Sequence, residues 1–303
     1  MVKILICDEL DADRLNLGGS VEVDYRPSIT REDLLDSVAQ YDGLVVRSRT
    51  KVDREVIDRA KRLRIVARPG TGLDNVDLSY ARSKGVTVVN SPESLVEAVS
   101  EHVILLMLAL SRGLVEADVS TKAGRWEKNR LVGTQLKGKT LGIVGLGRIG
   151  RRIAEIAKTM GMAVLIYDVI AIPAEVISSL EVKVVSLDEL FSSSDYVTLH
   201  VPLTDETKHM VGRARFEQMK KGAFLVNTSR GGVVDEESLV LALRSGRIGG
   251  AGLDVFEKEP PSEEIRNAPR TLLTPHIGGQ TEEAQADAVS VIGDKLRAFF
   301  TGS

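Results

Sequence analysis

Hydrophobic positions along the chain fall into short, fully apolar runs that alternate with stretches where apolar residues recur every three or four positions. Val2–Ile6, Val21–Tyr25, Leu44–Arg47, Arg64–Arg68 and Val86–Val89 read as strands. Arg31–Ala39, Arg54–Ala60 and Leu78–Lys84, between them, read as helices. A second series of strands follows: Thr140–Val144, Ala163–Tyr167, Val182–Val185, Tyr196–Leu199, Ala223–Val226, Gly250–Val255 and Thr271–Leu273. Short strands that are apolar on both faces, separated by amphipathic helices, predict parallel sheets covered on both sides. The expected fold class is α/β, with two doubly wound sheets in tandem.

Between the two series the pattern predicts one long helix, about Ser94 to Ala123. Ser94 and Glu97 are spaced as a capping box, in which each side chain accepts from the other's backbone N–H. A last helix, about Thr281 to Phe299, follows the final strand. If it returns to the first sheet, the chain crosses twice between domains and leaves a hinge and a cleft. The expected division is 1–97 with 281–303 as one discontinuous domain and 98–280 as the other.

Bulk properties narrow the function. The 303 residues are enough for two domains. A net charge of −3, from 40 basic and 43 acidic residues, argues against a broad nucleic-acid surface. The longest apolar run, Val103 to Leu110, is far short of the roughly 20 residues of a membrane span. Strand-like sequence from Val2 onward leaves no room for a signal peptide. Cys7 is the single cysteine, and no metal-ligand spacing stands out. These features predict a cytoplasmic enzyme without metal, nucleic-acid or membrane partners.

The chemistry is carried by an ordered series of motifs. Gly145-Leu-Gly147-Arg-Ile-Gly150 lies between a strand and a helix, and Asp168 ends the next strand. In that context the glycines allow a tight turn, close approach of phosphate oxygens and close helix–strand packing. A carboxylate about 20 residues further on suits ribose hydroxyls and repels a 2′-phosphate, so NAD is expected rather than NADP. His200 ends a strand before Val201-Pro202 and is expected to line the cofactor pocket. Arg230 follows an apolar strand, where a guanidinium can clamp a carboxylate. His276 follows the last strand between Pro275 and a glycine pair, and an imidazole there can exchange a proton with an alcohol or carbonyl oxygen. A neighbouring carboxylate would fix its tautomer; Glu259 and Glu257 both qualify. His102 reads as a packing or capping residue and His209 as exposed.

Taken together, these segments resemble the D-isomer-specific 2-hydroxyacid dehydrogenases over essentially the whole chain. The carrying stretches are Val45–Val52, Arg68–Asp77, Gly138–Gly150, His200–Leu203, Asn227–Gly232, Leu253–Phe256 with Glu259-Pro260, and Pro275–Gly279. The resemblance implies a Rossmann nucleotide-binding domain inserted into a flavodoxin-like substrate domain, dimerising through the former. Arg230, Glu259 and His276 fall on the family's catalytic positions, which selects Glu259 over Glu257. Arg148 and Ile149 are implied at the pyrophosphate, Asp168 at the ribose, and Thr228 and Asp254 near the nicotinamide, with Ser229, Gly278 and Gly279 beside them. Substrate contacts are implied at Gly70, Thr71 and Gly72 through backbone N–H groups, at Arg47 for a phosphate, and at Arg230 and His276. The reaction expected is oxidation of D-3-phosphoglycerate to 3-phosphohydroxypyruvate, with reduction of glyoxylate or hydroxypyruvate as the alternative. A non-enzymatic NAD(H)-sensing role, as in co-repressors resembling the family, is the alternative of another class. Pro69 departs from the family pattern and removes one N–H from the anion loop. Because the sequence stops at Ser303, no C-terminal regulatory domain is expected.

Overall fold

The computed structural model describes residues 1–19 and 21–302. The chain divides into two compact units, Met1–Val96 with Gly279–Ser303, and Glu97–Gly278. No single helix among the described residues is long and apolar enough to cross a membrane.

The first unit is built on β1 (Val2–Ile6), β2 (Val21–Tyr25), β3 (Gly43–Val45), β4 (Ile65–Arg68) and β5 (Thr87–Asn90). All pair in parallel, in the order β2-β1-β3-β4-β5, the flavodoxin-like arrangement. Alternate residues of each strand serve opposite cores. Leu5, Leu44 and Val66 face Leu34, Val38, Val56 and Ile57, while Ile4, Ile6, Val45, Ile65 and Ala67 face Val289, Ile292 and Leu296. The latter three belong to the final helix, Glu282–Thr301, capped by Thr281 accepting from the Ala284 N–H at 3.2 Å. That helix sits so close to the Leu15 turn that a Cβ on Gly293 would meet the Leu15 carbonyl oxygen at 2.2 Å. Arg297 donates to the carbonyls of Leu15 and Asn16 at 2.8 and 2.6 Å, satisfying the same turn.

The second unit holds β6 (Thr140–Val144), β7 (Ala163–Tyr167), β8 (Lys183–Val184), β9 (Tyr196–Leu199), β10 (Phe224–Asn227), β11 (Gly250–Leu253) and β12 (Thr271–Leu273). They form one parallel sheet, β12-β11-β10-β9-β6-β7-β8. The chain runs outward from β6 to β8, then resumes on the other side with β9, so the strand order reverses between β6 and β9. Open α/β sheets bind ligands at such a point.

Register matters more here than strand count. Val144 pairs with Tyr167 and with Leu199; Leu199 pairs with Asn227, Asn227 with Leu253, and Leu253 with Leu273. The next residue on each strand therefore leaves the sheet at a common level: Asp168, Gly145, His200, Thr228, Asp254 and Thr274.

The α/β fold and its two sheets match the expectation, with strand ends differing by one or two residues. The single long helix does not form. It is broken into Val96–Arg112 and Leu114–Lys122, bent by 60°. Gly113 stands between them with φ of 55°, a left-handed conformation that a glycine adopts without steric cost. Nor does the capping box form. The helix begins at Val96, the Ser94 hydroxyl is buried without a hydrogen-bond partner among the described residues, and Glu97 pairs instead with Arg152 at 2.8 Å.

Gly293→Ala is expected to destabilise the first unit by about 1–3 kcal/mol through overpacking against the Leu15 turn. The urea unfolding midpoint checks this; an unchanged midpoint would show that the helix shifts without cost.

Candidate active site

At the glycine turn, each glycine meets a different demand. Gly145 has φ of 96°, and a Cβ on it would strike the His200 carbonyl oxygen at 2.5 Å. A Cβ on Gly150 would lie 2.2 Å from the Gly145 carbonyl oxygen. Around Gly147, apart from its immediate chain neighbours, no heavy atom of the described residues lies within 4 Å of the Cβ position, so that side of the turn is open. Helix Arg148–Thr159 starts there, and Ile149 packs partly against the core beneath it. Asp168 braces the turn: one oxygen accepts from the Leu146 N–H at 2.6 Å and the other from the Ile170 N–H at 2.9 Å. His200 bonds through Nε2 to Thr198 Oγ1 at 2.9 Å, with half-buried Val201 and exposed Pro202 following. The Thr228 hydroxyl is buried with no hydrogen-bond partner among the described residues.

Arg230 emerges beyond β10. Buried Asn227 shapes its loop, accepting from the Ser229 N–H and hydroxyl at 3.1 and 2.8 Å and donating to the Arg230 carbonyl at 2.9 Å. Gly231 lets this loop press on the segment after β11; its Cβ position lies 1.8 Å from the Phe256 carbonyl carbon. On that segment the two glutamates separate. Glu257 accepts from the Glu236 N–H at 3.0 Å and lies 3.3 Å from His209 Nε2. Glu259, joined to Pro260 by a cis peptide, places both carboxylate oxygens 3.1 Å from His276 Nδ1. An ionised carboxylate only accepts, so Nδ1 carries a proton, and Nε2 of the neutral ring is the acceptor. Both side chains are about half exposed, 54% for His276 and 45% for Glu259. The pair therefore orients the ring more than it stabilises the fold.

His276 has φ of 56°, unusual for a residue with a Cβ. Its turn is wound around Asp254, which is 1% exposed. Asp254 Oδ1 accepts from Thr274 Oγ1 at 2.6 Å and the Ile277 N–H at 2.8 Å; Oδ2 accepts from the Gly278 N–H at 2.8 Å. Burial pushes the Asp254 carboxyl pKa up. Bonds from His102, Thr274 and the two amides outweigh it and hold the pKa below the usual carboxylate value.

Residues 104–278 match the family model described as D-isomer specific 2-hydroxyacid dehydrogenase, NAD binding domain. The chain belongs to this family. Among its relatives, a D-3-phosphoglycerate dehydrogenase of Methanocaldococcus jannaschii is 43% identical over 100% of this chain and 58% of its own length. A hydroxypyruvate reductase of Thermotoga maritima is 45% identical over 85% of this chain and 84% of its own. The TT0316 protein from Thermus thermophilus superposes with a TM-score of 0.91, at 36% identity, covering 99% of this chain and 97% of that one. The chain spans a little over half the length of the phosphoglycerate dehydrogenases it matches.

NAD is the family's cofactor, and the edge fits it. The open face at Gly147 gives phosphate oxygens access to the N-terminus of helix Arg148–Thr159. Asp168 keeps acceptor capacity for hydroxyls, and Thr228 holds an unused hydroxyl. Among the described residues no cluster of His, Cys, Asp and Glu could hold a metal ion.

The other expected contact residues lie in the first unit. The Arg47 guanidinium donates to the Glu9 carbonyl at 3.2 Å and to Gln285 Oε1 at 2.5 Å. Buried Asp8 braces its loop, accepting from the Arg47 N–H and the Thr50 hydroxyl. Gly70 spends its N–H on Ser91 Oγ at 2.8 Å, leaving Thr71 and Gly72 as the amide donors of that loop. Gly279 accepts from Gln285 Nε2 at 2.7 Å. Asp8, Asn227, Thr274 and His102 shape these loops although the sequence pattern does not mark them as site residues. Their partners lie mostly outside the local motif, and only Asn227, at the end of β10 and within the Asn227–Gly232 stretch, carries a local signal.

Burial pushes the His200 pKa from 6.5 down to about 3. Its share of stability is complete above pH 6.5 and is lost progressively as pH falls toward 3, because the unfolded chain takes up the proton first. Between pH 7 and pH 5 that share is about 1–2 kcal/mol. His200→Gln should lose correspondingly less stability over this interval than the parent, read from unfolding midpoints at both pH values. Identical losses would show that His200 is not the group responsible.

Proposed function

We propose that the chain oxidises D-3-phosphoglycerate to 3-phosphohydroxypyruvate with NAD. The observation that carries this reading is His276 held by both oxygens of Glu259, at the same sheet edge that bears Arg230 and the glycine turn. Bound NAD supplies the acceptor for the hydride from C2. Nε2 of His276 takes the proton of the C2 hydroxyl, and Glu259 stabilises the imidazolium that results. Arg230 binds the carboxylate with its planar donors and polarises the oxygen that becomes the carbonyl. Asp168 accepts from the ribose hydroxyls. Within the first unit taken by itself, Arg47 and the amides of Thr71 and Gly72 present donors that suit an anionic group. Hydroxypyruvate reduction is the second reading, favoured by the 45% identical relative whose length this chain nearly matches.

Purified protein assayed against a panel of 2-hydroxy and 2-oxo acids tests the reading. Phosphohydroxypyruvate reduction and phosphoglycerate oxidation should exceed turnover of the unphosphorylated compounds; equal or better use of hydroxypyruvate selects the second reading. NADH binding with no turnover on any of them would favour a sensor. His276→Gln should lower kcat by about 10²–10⁴-fold, the range of general acid–base catalysis, with NADH affinity kept. Near-normal activity in that variant would remove His276 from the mechanism.

We also propose a homodimer formed through the second unit. Leu105, Leu108, Leu114, Val115 and Val119 are 40–55% exposed along the two bent helices, and Trp126 and Val132 are more exposed still. Apolar surface of this extent marks an interaction site. Sedimentation should give twice the chain mass, and Val115→Glu with Val119→Glu should give one chain mass. A parent protein that sediments as one chain at micromolar concentration excludes the dimer.

A further inference from the structure

Helix Val96–Arg112 carries His102 to a place the reaction as described does not use. Its side chain is 10% exposed, and Nε2 lies 3.0 Å from Thr274 Oγ1 and 3.5 Å from Asp254 Oδ1. Proton counting sets the direction of these bonds. Thr274 has one hydroxyl proton, and at 2.6 Å it goes to Asp254, whose carboxyl stays ionised and only accepts. The Thr274 oxygen must then accept from His102, so Nε2 of His102 bears hydrogen. From there the chain of bonds continues. Thr274 donates to Asp254, Asp254 accepts from the amides of Ile277 and Gly278, and the His276 N–H closes on the Thr274 carbonyl at 3.0 Å.

His276 is therefore enclosed by a ring of bonds on both sides, with a left-handed backbone of its own. Gly278 fits this enclosure because a Cβ there would crowd Asp254 Oδ2 at 3.0 Å and His102 at 3.7 Å. We propose that His102 is a positioning residue: through Thr274 and Asp254 it sets the backbone turn that aims the His276 imidazole. The proposal rests on the reading of His276 as the proton-transferring group. The polar contacts of His102 are with Thr274 and Asp254, and it acts on His276 through them.

Two readouts test it on the intact chain. The first is tautomer state, by nitrogen–proton correlation spectra of protein labelled in its four histidines, with assignment by substitution. His102 should show a protonated Nε2; a ring protonated at Nδ1 alone overturns the proposal. The second is kinetic, using NADH and the best 2-oxo acid of the panel. His102→Leu should lower kcat by about 10-fold or more, as expected for a displaced reacting group, with KM and NADH affinity within about two-fold. His102→Gln, which keeps an N–H at similar reach, should restore most of the loss, and Thr274→Ser should retain what Thr274→Val loses. The His102→Leu, Thr274→Val double variant should be no slower than the worse single one, because both cut the same chain of bonds. Full activity in His102→Leu, no rescue by glutamine, or multiplicative losses would each refute it. A merely structural role predicts instead that NADH affinity and unfolding midpoint fall together with kcat. Should His276→Gln stay active, the reading of His276 itself fails; a dead His276→Gln beside a fully active His102→Leu defeats only the present proposal.

Discussion

Parallel register is the constraint on which the site depends. In a parallel sheet every strand points its carboxyl end the same way, so residues just past the last paired position share one edge. Here the last pairings of β7, β6, β9, β10, β11 and β12 coincide, and the first unpaired residues are Asp168, Gly145, His200, Thr228, Asp254 and Thr274. Backbone bonds carry this alignment one residue beyond the strands, as in His200 N–H to Val144 and Thr274 N–H to Leu253. A slip of two residues in β12 alone would separate Thr274 from Asp254 and unwind the turn that holds His276. The chemistry is thus specified by the hydrophobic pattern of strands that contain no reactive group.

Much of this was legible in the sequence because the strands are buried on both faces. A mostly apolar run between turn residues is a strong local signal, and β1, β6, β7, β9 and β12 end where it predicts; β2, Val-Glu-Val-Asp-Tyr at the sheet edge, also ends as expected, although it carries Glu22 and Asp24. The Arg230 and His276 positions were legible for a related reason: each is a polar residue just beyond such a run. What was not legible depends on pairing across distance. Gly113 is one glycine in a stretch of helix formers, and nothing local shows that its φ is positive. Ser94 and Glu97 have the right spacing for a capping box, but Arg152, 55 positions away, holds Glu97, and the helix starts past Ser94. Glu257 and Glu259 are equivalent by spacing, and the resemblance alone separated them in the sequence; the fold supplies the physical reason, with His209 and Glu236 engaging the first and His276 the second. His102 lies 172 residues from Thr274, a separation over which no periodicity argument operates.

The edge also divides labour by burial. The two side chains proposed for proton transfer, His276 and Glu259, are about half exposed, and their ion pair contributes little to stability. Groups that aim them are sealed. Asn227 and Asp254 are each 1% exposed, and both accept from backbone N–H groups of the loops they shape. Bonds from amides to a buried carboxylate are charge-assisted, and their loss leaves several polar groups unpaired at once. Substitution of an aiming residue therefore costs folding energy and geometry together, while substitution of an exposed reacting residue costs chemistry with little folding energy. His102 stands between these classes. It is nearly buried, yet it supplies one N–H to a hydroxyl that keeps its stronger bond to Asp254 regardless. Its removal would leave the Asp254 bonds to Thr274, Ile277 and Gly278 in place and would release only the orientation of the Thr274 hydroxyl, so the proposed effect on rate comes with little cost in stability.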